Sequence, residues 1–249
     1  MKKLIFALLL FPAITNAQLG ILGGKNIIKT NLSSYALNNY NITYERSFLK
    51  KLSFSVGFRY MPKSSLPSAF KDEVEKLIDN KNIKISEFQL GNFAITPELR
   101  LYFGVGKMKG FYIAPYARYA SFDIQLPVTY DDPNGKPLTV PFTGKINSIS
   151  GGVLLGVQTQ IFKKLVLDIW IVGGHYGSSS GTITAVTPNL GPDKNAIAWK
   201  NLQASLDGFN VDGPFKFSGK VTSSTTAEIY ETGPWAGVRA LGLSLGVRF

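Results

Sequence analysis

The stretch that most limits what this chain can fold into is Ala236 to Phe249, AGVRALGLSLGVRF. Side chains of an extended strand point alternately to its two faces. Leu241, Leu243, Leu245, Val247 and Phe249 therefore share one face, and Ala240, Gly242, Ser244, Gly246 and Arg248 share the other. One face is apolar throughout, and the other is small or charged. Such a segment needs an apolar phase on one side only.

The same alternation recurs upstream, together with β-branched and aromatic residues. Seven more strands are expected: roughly Ile27 to Ala36, Tyr40 to Ser47, Lys51 to Met61, Phe88 to Phe103, Phe111 to Ile124, Ile146 to Ile161 and Leu165 to Gly174. The clearest sets Leu52, Phe54, Val56, Phe58 and Tyr60 against Ser53, Ser55, Gly57 and Arg59. The first alternates weakly. Short turns at Phe48 to Lys51, Gly104 to Gly110 and Phe162 to Lys164 interleave with long connections at 62–87, 125–145 and 176–234. Only the connection near Leu37 to Asn39 breaks that rhythm. Composition agrees with an ordered chain, since 45% of its 249 residues are hydrophobic and 17% are charged.

Met1 to Ala17 has two lysines, an apolar run and Thr15-Asn16-Ala17, the layout of a cleaved export signal. The run is too short to span a bilayer as a helix, which takes ~20 apolar residues. The mature domain is expected to be 18–249. Without the leader's lysines it holds 25 basic and 16 acidic residues, dispersed rather than in runs. That pattern suits anionic lipid head groups and argues against nucleic acid. There is no Cys, which removes disulfides and thiol-based metal sites.

A closing strand that finishes in Phe249 resembles the last strand of bacterial outer-membrane β-barrels, where the terminal aromatic serves membrane insertion. Lys29 to Leu32 (KTNL), Asn41 to Arg46 (NITYER) and Ser55 to Tyr60 (SVGFRY) are similar to an uncharacterised family of small Gram-negative outer-membrane barrels, OmpA- and OmpX-like in architecture. The resemblance implies an all-β fold: an eight-stranded antiparallel transmembrane β-barrel with short periplasmic turns and long extracellular loops that contain short helices. It brings no catalytic residues.

On that reading the apolar faces meet lipid, because unpaired backbone cannot face hydrocarbon and the sheet must close. Glu45, Arg59, Glu98, Arg100, Arg118, Asp168 and Arg248 then all point inward. Eight strands leave an interior only just wide enough for side chains. Buried charges must pair, so an Arg–carboxylate network that plugs the lumen is expected.

Function is expected in the loops. Phe70, Val74 and Leu77 lie at helical spacing behind a possible Ser68 cap, and Trp199 and Leu202 lie at helical spacing within Pro192 to Leu206. These are candidate partner-contact residues. Phe215 to Val221 and Ala227 to Tyr230 look strand-like. Asp131-Asp132-Pro133-Asn134-Gly135 is a turn cluster whose spacing fits no EF-hand. The single His175 lies near Ser178 to Ser180, but there is no G-x-S-x-G, and a solvated loop histidine is the simpler account. Gly104 to Gly110 fits no phosphate-loop pattern. No cofactor, metal or catalytic residue is assigned. The leading expectation is a non-enzymatic outer-membrane protein, either an accessory subunit of a larger complex or a surface recognition protein. Its partners would be outer-membrane lipid, including lipopolysaccharide, or other outer-membrane proteins. A narrow channel, a lipid-modifying enzyme and a secreted carrier of an apolar ligand are the alternatives, in that order.

Overall fold

The computed structural model describes residues 24–66, 82–208 and 216–249. The leader and the segment holding Phe70, Val74 and Leu77 lie outside the described residues. The rest is an antiparallel sheet of nine strands: β1 (Asn26–Asn31), β2 (Tyr40–Ser47), β3 (Leu52–Ser65), β4 (Gln89–Tyr102), β5 (Gly110–Asp131), β6 (Pro137–Gln160), β7 (Leu165–Val186), β8 (Lys216–Ser223) and β9 (Thr226–Arg248). Neighbours in sequence pair as far as β7, which then pairs with β9. β9 also pairs with β1, Thr30 opposite Leu245 and Ile28 opposite Val247. Eight strands thus close a ring of hydrogen bonds, and β8 adds to the outer part of β9. Phe249 exchanges two 2.9 Å backbone bonds with Asn26, sealing the lower end, where the short turns lie.

The alternation of the sequence becomes an inversion of the usual globule. On the lower half of the ring, Phe54, Phe58, Leu99, Leu101, Ile169, Ile171 and Leu243 are exposed on the outside. Inside, Glu45, Arg100 and Asp168 are fully buried. Gly156 is one reason the interior closes. A Cβ there would collide with the Tyr112 side chain, which crosses the lumen at that level.

Above this level the strands run on well past the expected bounds. The stretch 125–145, expected as a loop, is a hairpin of β5 and β6. Its turn is closed by Asp132 N–H to Lys136 O at 2.9 Å and Gly135 N–H to Asp132 O at 3.0 Å. The Asp132 carboxylate accepts the backbone N–H groups of Asn134 and Lys136, which hold its pKa below the usual range. Much of 176–234 is likewise ordered: the tops of β7 and β9, strand β8, and helix α1 (Ile197–Asp207). Here the inward face is apolar. Leu126, Val128, Val140, Phe142, Ile183, Val221 and Ile229 pack with Leu202 and Leu206 of α1. Leu202 is wholly buried and Trp199 is half-buried against the same core. Neither is a free contact residue as expected; the apolar stripe of α1 is consumed by the sheet beneath it.

β1 is shorter than expected. Asn31 ends it by turning its side-chain oxygen onto Ser33 Oγ (2.7 Å) and Ser34 N–H (3.1 Å), an Asx-type turn into the 3-10 segment Ser33–Leu37. Asn38, with φ +51°, ends that segment in the left-handed region. The wall of the ring is therefore low at β1–β2, while β3 and β9 continue upward on either side. Between Thr232 and Leu243, whose carbonyl accepts Leu32 N–H at 2.6 Å, β9 has no ladder partner on that side among the described residues.

Candidate functional site

The interior holds two tiers of charge. In the lower tier Lys29, on β1, places Nζ 2.6 Å from Glu45 Oε2, from Asp168 Oδ2 and from Gln158 Oε1. Arg100 Nη1 lies 2.8 Å from Asp168 Oδ2, and its Nε and Nη2 donate to Glu98 Oε2 at 2.9 and 2.6 Å. Three hydroxyls complete the acceptors' coordination. Tyr102 and Ser53 donate to Glu45 Oε1 at 2.6 and 2.5 Å, and Tyr112 donates to Asp168 Oδ1 at 2.8 Å. Every acidic group here meets at least two donors, which is what buried charges need.

Glu98 joins the tiers. Its second oxygen accepts Arg239 Nη1 at 2.9 Å. The Arg239 guanidinium also lies over two rings, 4.3 Å from Trp170 and 4.8 Å from Tyr116. Tyr116 OH is 3.0 Å from His175 Nδ1. Arg118 donates to Thr96 Oγ1 at 3.0 Å. Arg59 faces the same space, and its buried Nε has no partner among the described residues. Lys29, Arg100 and Arg239 answer Glu45, Glu98 and Asp168. Among the described residues no carboxylate lies within ion-pair distance of Arg59 or Arg118, so two guanidinium charges are left over. They line a cavity of about 380 Å³ that also touches Thr43, Trp170 and Arg239.

The structure brings Glu45, Glu98, Arg100 and Asp168 into one cluster and places Arg59 and Arg118 above it. It does not bring in Arg248. That residue ends β9 below the network and bonds to Gly24 O (2.6 Å) and Gln160 Oε1 (3.2 Å) at the rim. Sequence reasoning missed Lys29, because β1 carries Ile27, Lys29 and Asn31 on one face and reads as no clean pattern. It missed Arg239 and put His175 in a solvated loop for a shared reason. Ile171 and Val172 are consecutive exposed residues on β7, as are Ala240 and Leu241 on β9, and Leu241 has φ +52°. Each strand switches which face looks inward at that level. Residues Arg239 and His175, outward by simple alternation, are swung into the lumen.

A family model matches residues 4–183, which takes in β1 to β6 and most of β7; its description is protein of unknown function (DUF3575). The chain belongs to this family. No curated protein sequence matches it. The matched span contains Lys29, Glu45, Arg59, Glu98, Arg100, Arg118 and Asp168, and it stops before α1, β8 and Arg239. Membership therefore concerns the ring and most of its charges, and the family's description assigns them no role. Among the described residues no group of three or more His, Cys, Asp or Glu is placed to hold a metal ion.

Proposed function

We propose that this protein is an outer-membrane β-barrel whose lower ring spans the bilayer. Its role is structural or interaction-based, as an accessory subunit of a larger assembly or a surface recognition protein. One observation carries the reading: the closed ring exposes its large apolar side chains and buries its ions. In water that arrangement wastes the hydrophobic effect, whereas in hydrocarbon it is the favourable one. Closure also pairs the strand edges of the lower ring, apart from the stretch of β9 above Leu243, so little unpaired backbone is left to meet lipid. Tyr60, Phe93, Tyr119 and Tyr176 on one side, and Phe48, Phe103, Phe111 and Phe162 on the other, are exposed where interfacial aromatic girdles would lie. The leader-like start of the sequence supports export.

The folded extension above the ring is the part available to a partner. Lys136, Lys194, Lys200 and Lys220 lie on it and suit lipopolysaccharide phosphates or an acidic protein surface. The fully buried Arg100, Tyr102, Tyr112 and Gln158 fill the lumen at the level of the network, which speaks against an open channel. Two measurements test the reading together. The mature chain is expected in the outer-membrane fraction, extracted only by detergent, and silent in planar bilayers. Large steady currents would replace the plugged barrel with a channel. A chain that stays folded in the aqueous fraction would end the membrane reading altogether.

A further inference from the structure

The leftover positive charge and the low wall of the ring occur at the same place. The cavity that holds Arg59 and Arg118 is not sealed inside the lumen. Its lining continues through the wall, past Ser33 and Leu37 of the 3-10 segment on one side and Val238 and Leu241 of β9 on the other. Leu241 is 83% exposed and Val238 76% exposed, so the β9 lip of this notch is bare and apolar. Just inside it stand Arg59, Arg118 and Arg239, with Glu98 already matched to Arg100 and Arg239.

The physics of the interior makes this pairing of features informative. Each remaining ion of the lumen has a counter-ion at 2.6 to 2.9 Å. Two guanidinium groups without a carboxylate, one with a buried Nε that donates to nothing among the described residues, depart from the pattern that their neighbours obey. Arg118 is buried and Arg59 half-buried, and cations so withdrawn from water are stabilised by an anion from outside where the protein supplies none. Guanidinium groups are suited to carboxylate and phosphate oxygens, which they bind through parallel N–H donors. The volume of about 380 Å³ falls in the range of small-molecule sites.

We infer that this cavity is a binding site for an acidic amphiphile, a phosphate or carboxylate head on an acyl chain. The head sits against Arg59 and Arg118, and the chain leaves through the notch over Val238 and Leu241. The inference rests on the membrane-spanning reading, which puts the notch beside lipid, and it assigns that reading a ligand class and an entrance. Head and tail make separable contributions. The arginines alone would hold any small anion, and the lip alone would hold any apolar chain.

The test uses the full mature chain in neutral detergent, with dodecyl phosphate, inorganic phosphate and dodecyl maltoside as probes and native mass spectrometry as the readout. One dodecyl phosphate per chain is expected, with inorganic phosphate at least ten-fold weaker and dodecyl maltoside not retained. Arg59→Gln combined with Arg118→Gln should weaken dodecyl phosphate ten-fold or more, and the Lys pair at the same positions should restore part of it. Val238→Asn with Leu241→Asn changes only exposed side chains and should erase the advantage of dodecyl phosphate over inorganic phosphate. Equal binding of the two phosphates by the wild-type chain would overturn the wall entrance. Unchanged dodecyl phosphate binding in the Gln pair, with the barrel's heat-dependent gel mobility intact, would overturn the head site. All of these readouts are made in detergent solution, so they stand or fall separately from where the chain fractionates.

Discussion

On β5, Tyr112 and Arg118 point into the lower ring, whereas Leu126, Val128 and Tyr130, on the same face of the same strand, pack beneath α1. The parity of the strand does not change between them; the chemistry does. Outside, the lower ring presents Leu99, Leu101 and Ile169, while the upper part presents mainly Lys, Ser and Thr, with Val186, Ile197 and Tyr230 as single exposed apolar residues. One continuous sheet therefore buries its ion network at one end, beside a small apolar cluster of Ile27, Met108, Leu154 and Val166, and a larger hydrocarbon core at the other. On the membrane-spanning reading proposed above, a strand's inward face is set by what surrounds the outward one. Where water lies outside, burial of apolar area drives the packing. Where the surroundings are themselves apolar, that drive is absent and hydrogen-bonded ions specify the interior.

The sharpest way to break the contrast is Asp168→Ala. It removes the acceptor shared by Lys29, Arg100 and Tyr112 and leaves two cations short of a partner. Removing one member of a buried ion cluster costs about 3–5 kcal/mol. Urea unfolding of the protein folded into phospholipid vesicles should show that loss, with hydrogen exchange in α1 unaffected. A cost below about 1 kcal/mol would mean that the ring is not held by its ions.

Leu202→Ala is the matching cut in the upper half. Leu202 is wholly buried between α1 and the sheet. Such truncations cost about 2–5 kcal/mol, depending on how far the site collapses. Amide protection in α1 should fall accordingly while the amides of β2 and β3 keep theirs. If protection dropped equally in both halves, the two would be one cooperative unit and the contrast would be chemical only.

What the sequence allowed a reader to see follows the same division. The alternation in β2, β3 and β4 was enough to place Glu45, Arg59, Glu98 and Arg100 on the inward face, because simple period-two patterning holds along those strands. Lys29 was invisible because β1 is six residues long and mixes Ile27 with Asn31 on one face. Arg239 and His175 were invisible because two strands change phase at Ile171–Val172 and Ala240–Leu241, and a phase change has no signature in residue type alone. The tops of β5, β6 and β7 read as loop because their inward face is apolar where the lower strands bury charge, whereas the strand character of 216–221 and Ala227 to Tyr230 was legible and falls in β8 and β9. Leu126, Val128, Val140 and Phe142 were sitting at alternate positions throughout, and the turn residues Asp131 to Gly135 marked the hairpin between them. Helix α1 was legible, but its partner was not. An apolar stripe tells which side of a helix is buried, not whether the cover is the same chain.

The smallest effect sharpens the contrast at its one exception. Glu231 lies in the upper half, 3% exposed, with Oε1 accepting Ser179 Oγ at 2.7 Å and Oε2 without a partner among the described residues. Burial pushes its carboxyl above the ordinary value, although the Ser179 hydroxyl pulls the other way. The folded chain therefore binds this proton more tightly than the unfolded chain does. Its contribution to stability is complete below the unfolded pKa and is lost as pH rises through the raised folded value. Glu231→Gln keeps the acceptor for Ser179 and removes the charge. It should raise stability of the upper half at neutral pH by about 1 kcal/mol, with no gain below about pH 4. Protection factors in β8 and β9, corrected for the intrinsic rate at each pH, measure it. A flat difference across pH would show that Glu231 titrates alike in the folded and unfolded chains, and that its burial in the upper half carries no charge penalty.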